Sequence, residues 1–199
     1  MLLLLMSPWA LCQAHDSCAI DRLNPQLEQV FQRDQGLRMA RIQADYDQKF
    51  APSAEHEANQ AKVLEELRAG DRENDATIKN IISNCGWPDA KTLTYLANSA
   101  LFFVIQHGSK EDRIRYFPYF EKQYQDKQLH SSRYTMMKDR MLFDQGLPQL
   151  YATQFFPGKE GIEAYGNVEE PEKLNDRREQ AGLSRIKAFD DQYPPQQRK

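Results

Sequence analysis

The chain has 199 residues, of which 40% are hydrophobic and 28% charged, and its formal net charge at pH 7 is −3. The length predicts a single domain, and the composition is typical of a globular protein with a sizeable core. A slightly acidic surface of mixed sign gives no electrostatic basis for binding DNA, RNA or an anionic membrane, so nucleic acid is not expected as a partner.

An apolar run begins the chain, in the segment MLLLLMSPWALCQAHDSC. The run, followed by the small residue Ala14 and a polar stretch, is typical of a secretory signal peptide cleaved after residue 14. It is too short to span a bilayer, so stable membrane insertion is not expected. We therefore predict a periplasmic or secreted protein. The alternative is that residues 1–12 form a buried first helix.

The cysteines fit an exported protein. Cleavage after residue 14 removes Cys12 and leaves Cys18 and Cys85. An even pair in an oxidising compartment predicts a disulfide between them. The sequence contains no CxxC motif and too few nearby histidines for a zinc site, so no metal and no cofactor are expected. The alternative is two buried free thiols.

Helical spacing of apolar residues dominates the first half of the chain. It predicts one long amphipathic helix over residues 24–50, with an interruption at Gly36 left open. A second helix begins after the N-cap Ser53 and ends at Gly70, and a third, short helix ends in the Gly-Trp-Pro turn at 86–88. The apolar residues of the first helix are Leu27, Val30, Phe31, Leu37, Met39, Ile42 and Tyr46.

Residues 90–107 are apolar nearly all round, which predicts a buried central helix. Its apolar stripe ends at His107. Ser109 is placed to cap the next helix, which extends to about Gln128 and is kinked or restarted near Pro118.

The remainder of the chain combines one more helix with a long loop. The segment SSRYTMMKDRMLFDQG predicts a helix that ends at Gly146, and a loop rich in Gly and Pro leads to a helical stretch from about Glu172. Repeats and convincing alternating strands are absent from the sequence. The predicted fold is all-α, a single irregular helical domain with a long polar loop, its helices antiparallel and packed on the buried central helix.

His107 is the first candidate for chemistry. A neutral imidazole accepts a proton near physiological pH, so a histidine at the end of a rigid buried helix can act as a catalytic general base. The neighbouring Gln106 is then a candidate ligand-binding residue. The alternative is structural, because a histidine in the last turn of a helix interacts favourably with the helix dipole.

Asp139 and Arg140 form the second candidate site, because their helical positions near Met136 and Phe143 indicate partial burial. A semi-buried Arg needs a carboxylate or phosphate partner, which a ligand can supply. The alternative is an internal salt bridge with Asp139, Asp144 or another core acid.

The third candidate is the segment GLPQLYATQF. In an extended conformation Gln149, Tyr151 and Thr153 point to one side. Together with Gln154 they offer uncharged hydrogen-bonding groups that suit a polar ligand. The same groups are equally suited to holding an irregular loop against the protein, since its backbone needs hydrogen-bond partners.

Three further residues complete the candidates. Trp87, in a rigid turn, either lines a pocket or fills the core. Arg177 and Arg178 either clamp an anion or lie at the surface. The sequence has no HExxH, no Gly-x-Ser-x-Gly and no phosphate-binding glycine loop, so a metal or nucleotide enzyme of a common type is not expected.

Four segments, IISNCGWP, FFVIQHG, KDRMLFDQGLPQLYATQF and PEKLNDRREQAGL, occur in this order. Together they resemble an uncharacterised bacterial family of unknown function. The resemblance implies a helical extension at 15–74, a family-like domain at 75–189 and a disordered tail at 190–199. The family pattern maps onto Gly86, Trp87, Pro88, Gln106, His107, Asp139, Arg140, Gly146, Gln149, Tyr151, Thr153, Gln154, Arg177 or Arg178, Gly182 and Leu183.

Two departures from the family pattern stand out, one of them at two adjacent residues. Gly108 and Ser109 replace the more usual Ala-Asp, which removes an acid that would orient His107 and weakens a catalytic interpretation. Ala152 stands where Gly is common, which suggests that this position needs no positive backbone angle.

The resemblance implies that these polar clusters converge in space. The hypothesis is that the buried helix aims Gln106 and His107 into a pocket roofed by the loop 146–155. The favoured function is a binding module that holds a polar or anionic small ligand or peptide around His107 and Arg140. Two alternatives stay open: a His107-dependent hydrolase with water as nucleophile, and a periplasmic inhibitor or immunity-type protein that binds a protein partner.

Overall fold

The computed structural model describes residues 17–157, 163–165 and 167–192. The fold is all-α as predicted, with the helices packed against each other. The length predicts one domain, and the chain forms two compact units, Met1–Gly108 and Ser109–Lys199. The predicted signal peptide and most of the predicted tail lie outside the described residues. Among the described helices, none combines the length and the apolar character of a membrane span.

The first unit is built on α1 (Ile20–Phe50), α2 (Ala54–Cys85) and α3 (Tyr95–His107). α1 and α2 form an antiparallel hairpin, because only residues 51–53 connect them. α3 packs on both and runs parallel to α1. The Thr94 hydroxyl, at the start of α3, donates to Glu28, whereas His107, at its end, contacts Asp34.

The predicted disulfide between Cys18 and Cys85 is confirmed, with the two Cα atoms 5.5 Å apart. It joins the residues at the beginning of α1 and the end of α2, so it ties the open end of the hairpin. For a sequence separation of 67, closing the loop stabilises the fold by roughly 4 kcal/mol in the chain-entropy model.

The apolar face predicted for α1 is buried only in its N-terminal half. Met39, Ile42 and Tyr46 are 64%, 60% and 57% exposed, so the prediction is wrong for them. The physical reason is the length of α3, which ends at His107 beside Arg38 and leaves the rest of this α1 face uncovered by the described helices of the unit. The buried residues of α1 are Leu23, Leu27, Val30, Asp34 and Ala44.

α2 is one continuous helix, where the sequence predicted two helices separated at Gly70. Ser53 caps its start as predicted and accepts a hydrogen bond from the His56 N–H at 3.1 Å. Gly70 is buried against α1, where an added methyl group would collide with the Leu37 side chain. In a sequence, a glycine that permits close helix packing cannot be told from a glycine that ends a helix. α1 is also continuous at its own glycine, Gly36.

The turn after α2 forms as predicted. Gly86 ends the helix with φ at +74°, a conformation that residues with side chains rarely adopt. Thr94 then accepts a hydrogen bond from the Ala97 N–H and caps α3, which begins at Tyr95 rather than near residue 90. α3 is the predicted buried helix, and its buried residues are Ala97, Ser99, Ala100, Leu101, Phe102, Val104, Ile105 and Gln106.

The second unit begins with an antiparallel helix pair, α4 (Lys110–Gln125) and α5 (Ser131–Asp144). Ser109 caps α4 as predicted by accepting a hydrogen bond from the Asp112 N–H at 3.1 Å, and α4 continues through Pro118. The later elements are a short antiparallel hairpin of β1 (Phe155–Pro157) and β2 (Glu163–Tyr165), a 3-10 turn at Pro171–Lys173, α6 (Leu174–Gln180) and α7 (Lys187–Gln192).

Candidate functional site

The imidazole of His107 lies against a buried carboxylate. Its Nδ1 atom is 3.2 Å from Oδ1 of Asp34, a residue of α1 that is 1% exposed. Arg38 completes the cluster, with Nε 3.2 Å from the same Nδ1 and Nη2 2.5 Å from Oδ1 of Asp71 on α2. All three helices of the first unit therefore contribute to the surroundings of His107.

Only one of the two contacts at Nδ1 is a hydrogen bond at any one time. A protonated Nδ1 donates to Asp34, whereas an unprotonated Nδ1 accepts from Arg38. The buried carboxylate of Asp34 favours the protonated Nδ1, because a buried charge needs hydrogen-bond donors. In the neutral ring the lone pair then lies on Nε2.

The electrostatics of Asp34 agree with this arrangement. Burial raises the pKa of its carboxyl, but the hydrogen bond and positive charge of His107, the charge of Arg38 and a hydrogen bond from Gln35 outweigh burial. The pKa therefore lies below its ordinary value of 3.8. Asp34 is ionised at neutral pH, as a carboxylate that orients a histidine must be.

A small cavity, which we call the His107 cavity, opens beside this histidine. Its volume is about 20 Å³, enough for one water-sized group. Asp34 and Asn74 are buried in it, whereas Asp71, Asp75 and His107 are partly exposed. The lining residues are Asp34, Asp71, Asn74, Asp75, Val104, His107 and Gly108.

Asn74 is the unusual member of this lining. It is 1% exposed, and within the described residues neither its amide nitrogen nor its amide oxygen has a hydrogen-bond partner. Leaving buried polar groups unsatisfied costs about 1–3 kcal/mol each, so such a group calls for an occupant of the neighbouring space. The other buried residues of the α2 stripe are Val63, Leu67, Gly70, Ile78 and Ile81.

Metal binding has no evident donor set in the described part of the chain. No group of three or more His, Cys, Asp and Glu side chains there is arranged to hold a metal ion. The carboxylates of the His107 cavity are instead engaged with neighbouring side chains, Asp71 with Arg38 and Asp75 with Lys79.

The second polar cluster lies in the second unit and fixes the loop 149–154. Asp139 of α5 is fully buried and accepts hydrogen bonds from the N–H groups of Leu150, Tyr151 and Thr153 and from the Thr153 hydroxyl, at 2.8–3.1 Å. Burial raises the pKa of the Asp139 carboxyl above its ordinary value of 3.8, and these hydrogen bonds offset the rise only in part. One buried carboxylate thus satisfies the backbone N–H groups of Leu150, Tyr151 and Thr153.

Two arginines of α6 donate hydrogen bonds to carbonyl groups of the same loop. Arg177 donates from Nε to the carbonyl oxygen of Leu150 at 3.0 Å, and Arg178 donates to the carbonyl oxygen of Tyr151. We call Asp139, residues 149–154, Arg177 and Arg178 the loop clasp. In the clasp the carboxylate accepts hydrogen bonds from backbone N–H groups, and the guanidinium groups donate hydrogen bonds to backbone carbonyls. These bonds fix the orientation of the loop.

Gln149 and Gln154 close the loop on itself. The Gln149 Nε2 atom donates to the Gln154 carbonyl, and the Gln154 N–H donates to Gln149 Oε1, both at 2.8 Å. These contacts match the alternative that the sequence left open, in which the polar residues hold an irregular loop in place. A ligand-binding role for the loop-clasp residues stays a prediction.

The backbone at Ala152 contradicts the sequence interpretation. Its φ is +51°, so position 152 does need a positive backbone angle. The glycine common in the family at this position fits that requirement, and this chain adopts the conformation with an alanine. The contacts of Asp139 with both neighbours, Tyr151 and Thr153, hold the intervening residue in this strained state.

Arg140 has internal partners. Its Nη1 donates to Gln154 Oε1 at 3.3 Å, and its Nε lies 3.8 Å from Oδ1 of Asp144. Asp144 also binds the buried Arg113 at 2.5 Å. Of the acids considered as partners of Arg140, Asp144 is therefore the one that pairs with it. Asp139 instead accepts hydrogen bonds from the loop.

The remaining candidates lie in the first unit. Gln106 is buried on α3, and Trp87 is partly buried in the turn after α2. Ligand binding by either residue stays a prediction. The His107 cavity and the loop clasp belong to different units, and a single pocket around His107 and Arg140 also stays a prediction.

Sequence reasoning missed Asp34, Asp71, Asn74 and Asp75. A usable signal existed for two of them, because Asp34 continues the buried spacing of Leu27 and Val30, and Asn74 interrupts an apolar stripe of α2. A polar residue at a core position of a helix is the pattern to look for. Asp71 and Asp75 give no such signal, since both are typical of an exposed helix face.

The geometry defines an all-α protein with a polar cavity between packed helices and a clasped loop. The chain belongs to a family of unknown function, DUF6624, whose profile matches residues 24–193. The predicted resemblance is thereby confirmed, and the match includes most of α1 and all of α2 in addition to residues 75–189. Among curated proteins and solved structures no match was found.

Proposed function

We propose that this protein is an exported binding module whose ligand site is the His107 cavity. The observation that carries the proposal is Asn74, a buried amide that has no hydrogen-bond partner among the described residues and lines this cavity. Folding favours satisfied buried polar groups, so a retained unsatisfied one is accounted for by a group that enters from outside. His107 and Asp34 beside it supply an oriented ring nitrogen and a charge.

Export is supported by the disulfide between Cys18 and Cys85. Structural disulfides persist in oxidising compartments and are rare in the cytosol. We therefore place the protein in the periplasm or outside the cell, with residues 1–14 as its signal peptide. Mass spectrometry of the protein recovered from the host's periplasm tests this, since an intact Met1 terminus or reduced Cys18 and Cys85 would contradict it.

A thermal-shift screen tests the binding function. The disulfide-bonded protein is mixed with polar metabolites, amines, short peptides and cell-wall fragments beside His107→Ala and Asn74→Leu. A ligand that binds the folded state raises the melting temperature, and both variants should lose that rise. Asn80→Leu is the matched control, because Asn80 is an exposed asparagine of the same helix.

Arg140→Ala belongs in the same screen for a separate reason. A ligand whose binding needs His107 and Arg140 would support the single pocket predicted from the sequence. A ligand that needs only His107 and Asn74 would restrict the site to the first unit. A ligand rise that persists in His107→Ala and Asn74→Leu, or an empty screen with folded variants, would overturn the proposal.

A His107-dependent hydrolase is the second candidate, and one observation favours it. The acid that the family pattern places after the histidine is missing here, yet Asp34 of α1 supplies a carboxylate at Nδ1. A water molecule in the cavity would then be the nucleophile, with Nε2 as its base. Turnover of a ligand found in the screen, abolished in His107→Ala, would support this candidate, whereas binding without turnover would exclude it for that ligand.

A further inference from the structure

We propose that the group bound in the His107 cavity is the primary ammonium group of an amine-bearing ligand. This inference rests on the proposed binding function and specifies its ligand class. The sequence predicted a polar or anionic ligand around His107 and Arg140, and the inference replaces the anionic option by a cation. The argument uses the charges around the cavity, its size and the hydrogen-bonding atoms it presents.

The charge around the cavity favours a cation. Three aspartates line it, and among the described residues their ion pairs are with Arg38, shared by Asp34 and Asp71, with Lys79, 2.9 Å from Asp75, and with the imidazole of His107 at Asp34. Because Arg38 is shared by two carboxylates, the arginine and the lysine together match only two of the three negative charges. Two of the three carboxylates are partly exposed, so an entering cation meets them before it reaches the buried part of the cavity. An entering anion would meet like charges and be disfavoured.

The size of the cavity narrows the choice of cation. A volume of about 20 Å³ admits one water-sized group. A primary ammonium head is of this size. A metal ion of the same size would lack ligands, because the described residues contain no donor group arranged for one.

The hydrogen-bonding atoms of the cavity match an ammonium group. An ammonium has three N–H donors and no acceptor. The amide oxygen of Asn74, which has no partner among the described residues, and the carboxylates of Asp71 and Asp75 are acceptors that line the same space. The Asn74 amide nitrogen is left to donate to a water molecule or to an oxygen of the ligand beside the amine.

An NMR titration of the ¹⁵N-labelled, disulfide-bonded protein with methylammonium chloride at constant ionic strength tests the inference. Methylammonium carries the ammonium head with only two non-hydrogen atoms, so its Kd will be no tighter than about 6 mM. We expect saturable shifts of the Asn74 side-chain amide and of the backbone amides of His107 and Gly108. In Asn74→Leu the backbone shifts should be lost, and in Asn80→Leu they should persist.

Three comparison salts complete the titration. Tetramethylammonium chloride has the same charge without donors, sodium acetate is an anion, and calcium chloride supplies a metal cation. The inference is overturned if methylammonium gives no saturable response, if Asn74→Leu responds like the wild type, or if tetramethylammonium or calcium gives the same response. A saturable, Asn74-dependent response to acetate alone would overturn the amine class and leave the proposed binding function standing.

Discussion

Asp34 and His107 lie 73 residues apart in the chain, and the Asp34 carboxylate lies 3.2 Å from Nδ1 of the His107 ring. The aspartate is buried, whereas the side chain of His107 is 30% exposed. The pair therefore holds a partly exposed imidazole against a buried carboxylate. This relationship, together with Asn74, is what distinguishes the end of α3 from an ordinary helix terminus.

The Asp34 carboxylate should make stability depend on pH in the acid range. Its folded-state pKa lies below 3.8, so the stability it contributes is present above about pH 4 and is lost as the pH falls through the folded pKa. Asp34→Asn should cost about 2 kcal/mol of unfolding free energy at pH 7, since it replaces a hydrogen-bonded charge. Urea unfolding of both proteins from pH 7 to pH 2.5 measures this difference, which should shrink below about pH 4. A difference independent of pH would contradict the assignment.

The Asp139 carboxylate should be essential to the loop clasp. Asp139→Asn replaces one acceptor oxygen by an N–H₂ group that faces backbone N–H donors, so the unfolding free energy should fall by about 3 kcal/mol. Hydrogen exchange at the amides of Leu150, Tyr151 and Thr153 should accelerate in the same variant. Asp126→Asn, at an exposed ion pair with Lys122, is the control and should stay within about 0.5 kcal/mol of the wild type. Equal effects in the two variants would refute the clasp.

The left-handed conformation of Ala152 makes this position sensitive to side-chain branching. Ala152→Gly should change stability by less than about 1 kcal/mol, because relief of the backbone strain offsets the lost methyl burial and the greater freedom of the unfolded chain. Ala152→Val should cost about 3 kcal/mol or more, since a β-branched residue at positive φ also overfills a buried position. Thermal unfolding of the two variants is the measurement, and equal tolerance of glycine and valine would be inconsistent with a positive φ.

The two helical glycines of the hairpin should respond differently to alanine. Gly36 has open space at the position of a Cβ, so Gly36→Ala should stabilise by about 0.5–1 kcal/mol through helix propensity. In Gly70→Ala the new methyl group collides with the Leu37 side chain, which must leave its position. This variant should therefore be less stable than Gly36→Ala by about 1 kcal/mol or more. Chemical denaturation of both variants tests this. If Gly70→Ala gained as much unfolding free energy as Gly36→Ala, α1 and α2 would not be closely packed at Gly70.

Much of the fold could be predicted from local patterns. Ser53 and Ser109 are caps whose hydrogen bonds act within one turn, and the turn at Gly86 requires a backbone angle that only glycine adopts readily. These features depend on neighbours in sequence. Gly70 shows the limit of this reasoning, because its effect depends on Leu37 of another helix and not on its own neighbours.

The candidate site was predictable only in part for the same reason. His107 stood out as a polar residue at the end of an apolar stripe. Its partner Asp34 comes from a helix far away in the chain, and the family pattern suggested the opposite, namely a missing acid. The prediction that Ala152 needs no positive backbone angle was wrong for a similar reason, because the long-range hydrogen bonds of Asp139 impose that angle.

Calorimetric titration of the ligand from the thermal-shift screen into wild type, Asn74→Leu and Asn80→Leu tests the central claim most directly. Losing a hydrogen bond to a buried, otherwise unsatisfied amide should weaken binding by about tenfold or more in Asn74→Leu, with Asn80→Leu unchanged. Unfolding measurements should find Asn74→Leu at least as stable as the wild type, because an unsatisfied amide is replaced by an apolar group in an apolar stripe. Equal affinity of the wild type and a folded Asn74→Leu would contradict the account of the His107 cavity as a ligand site.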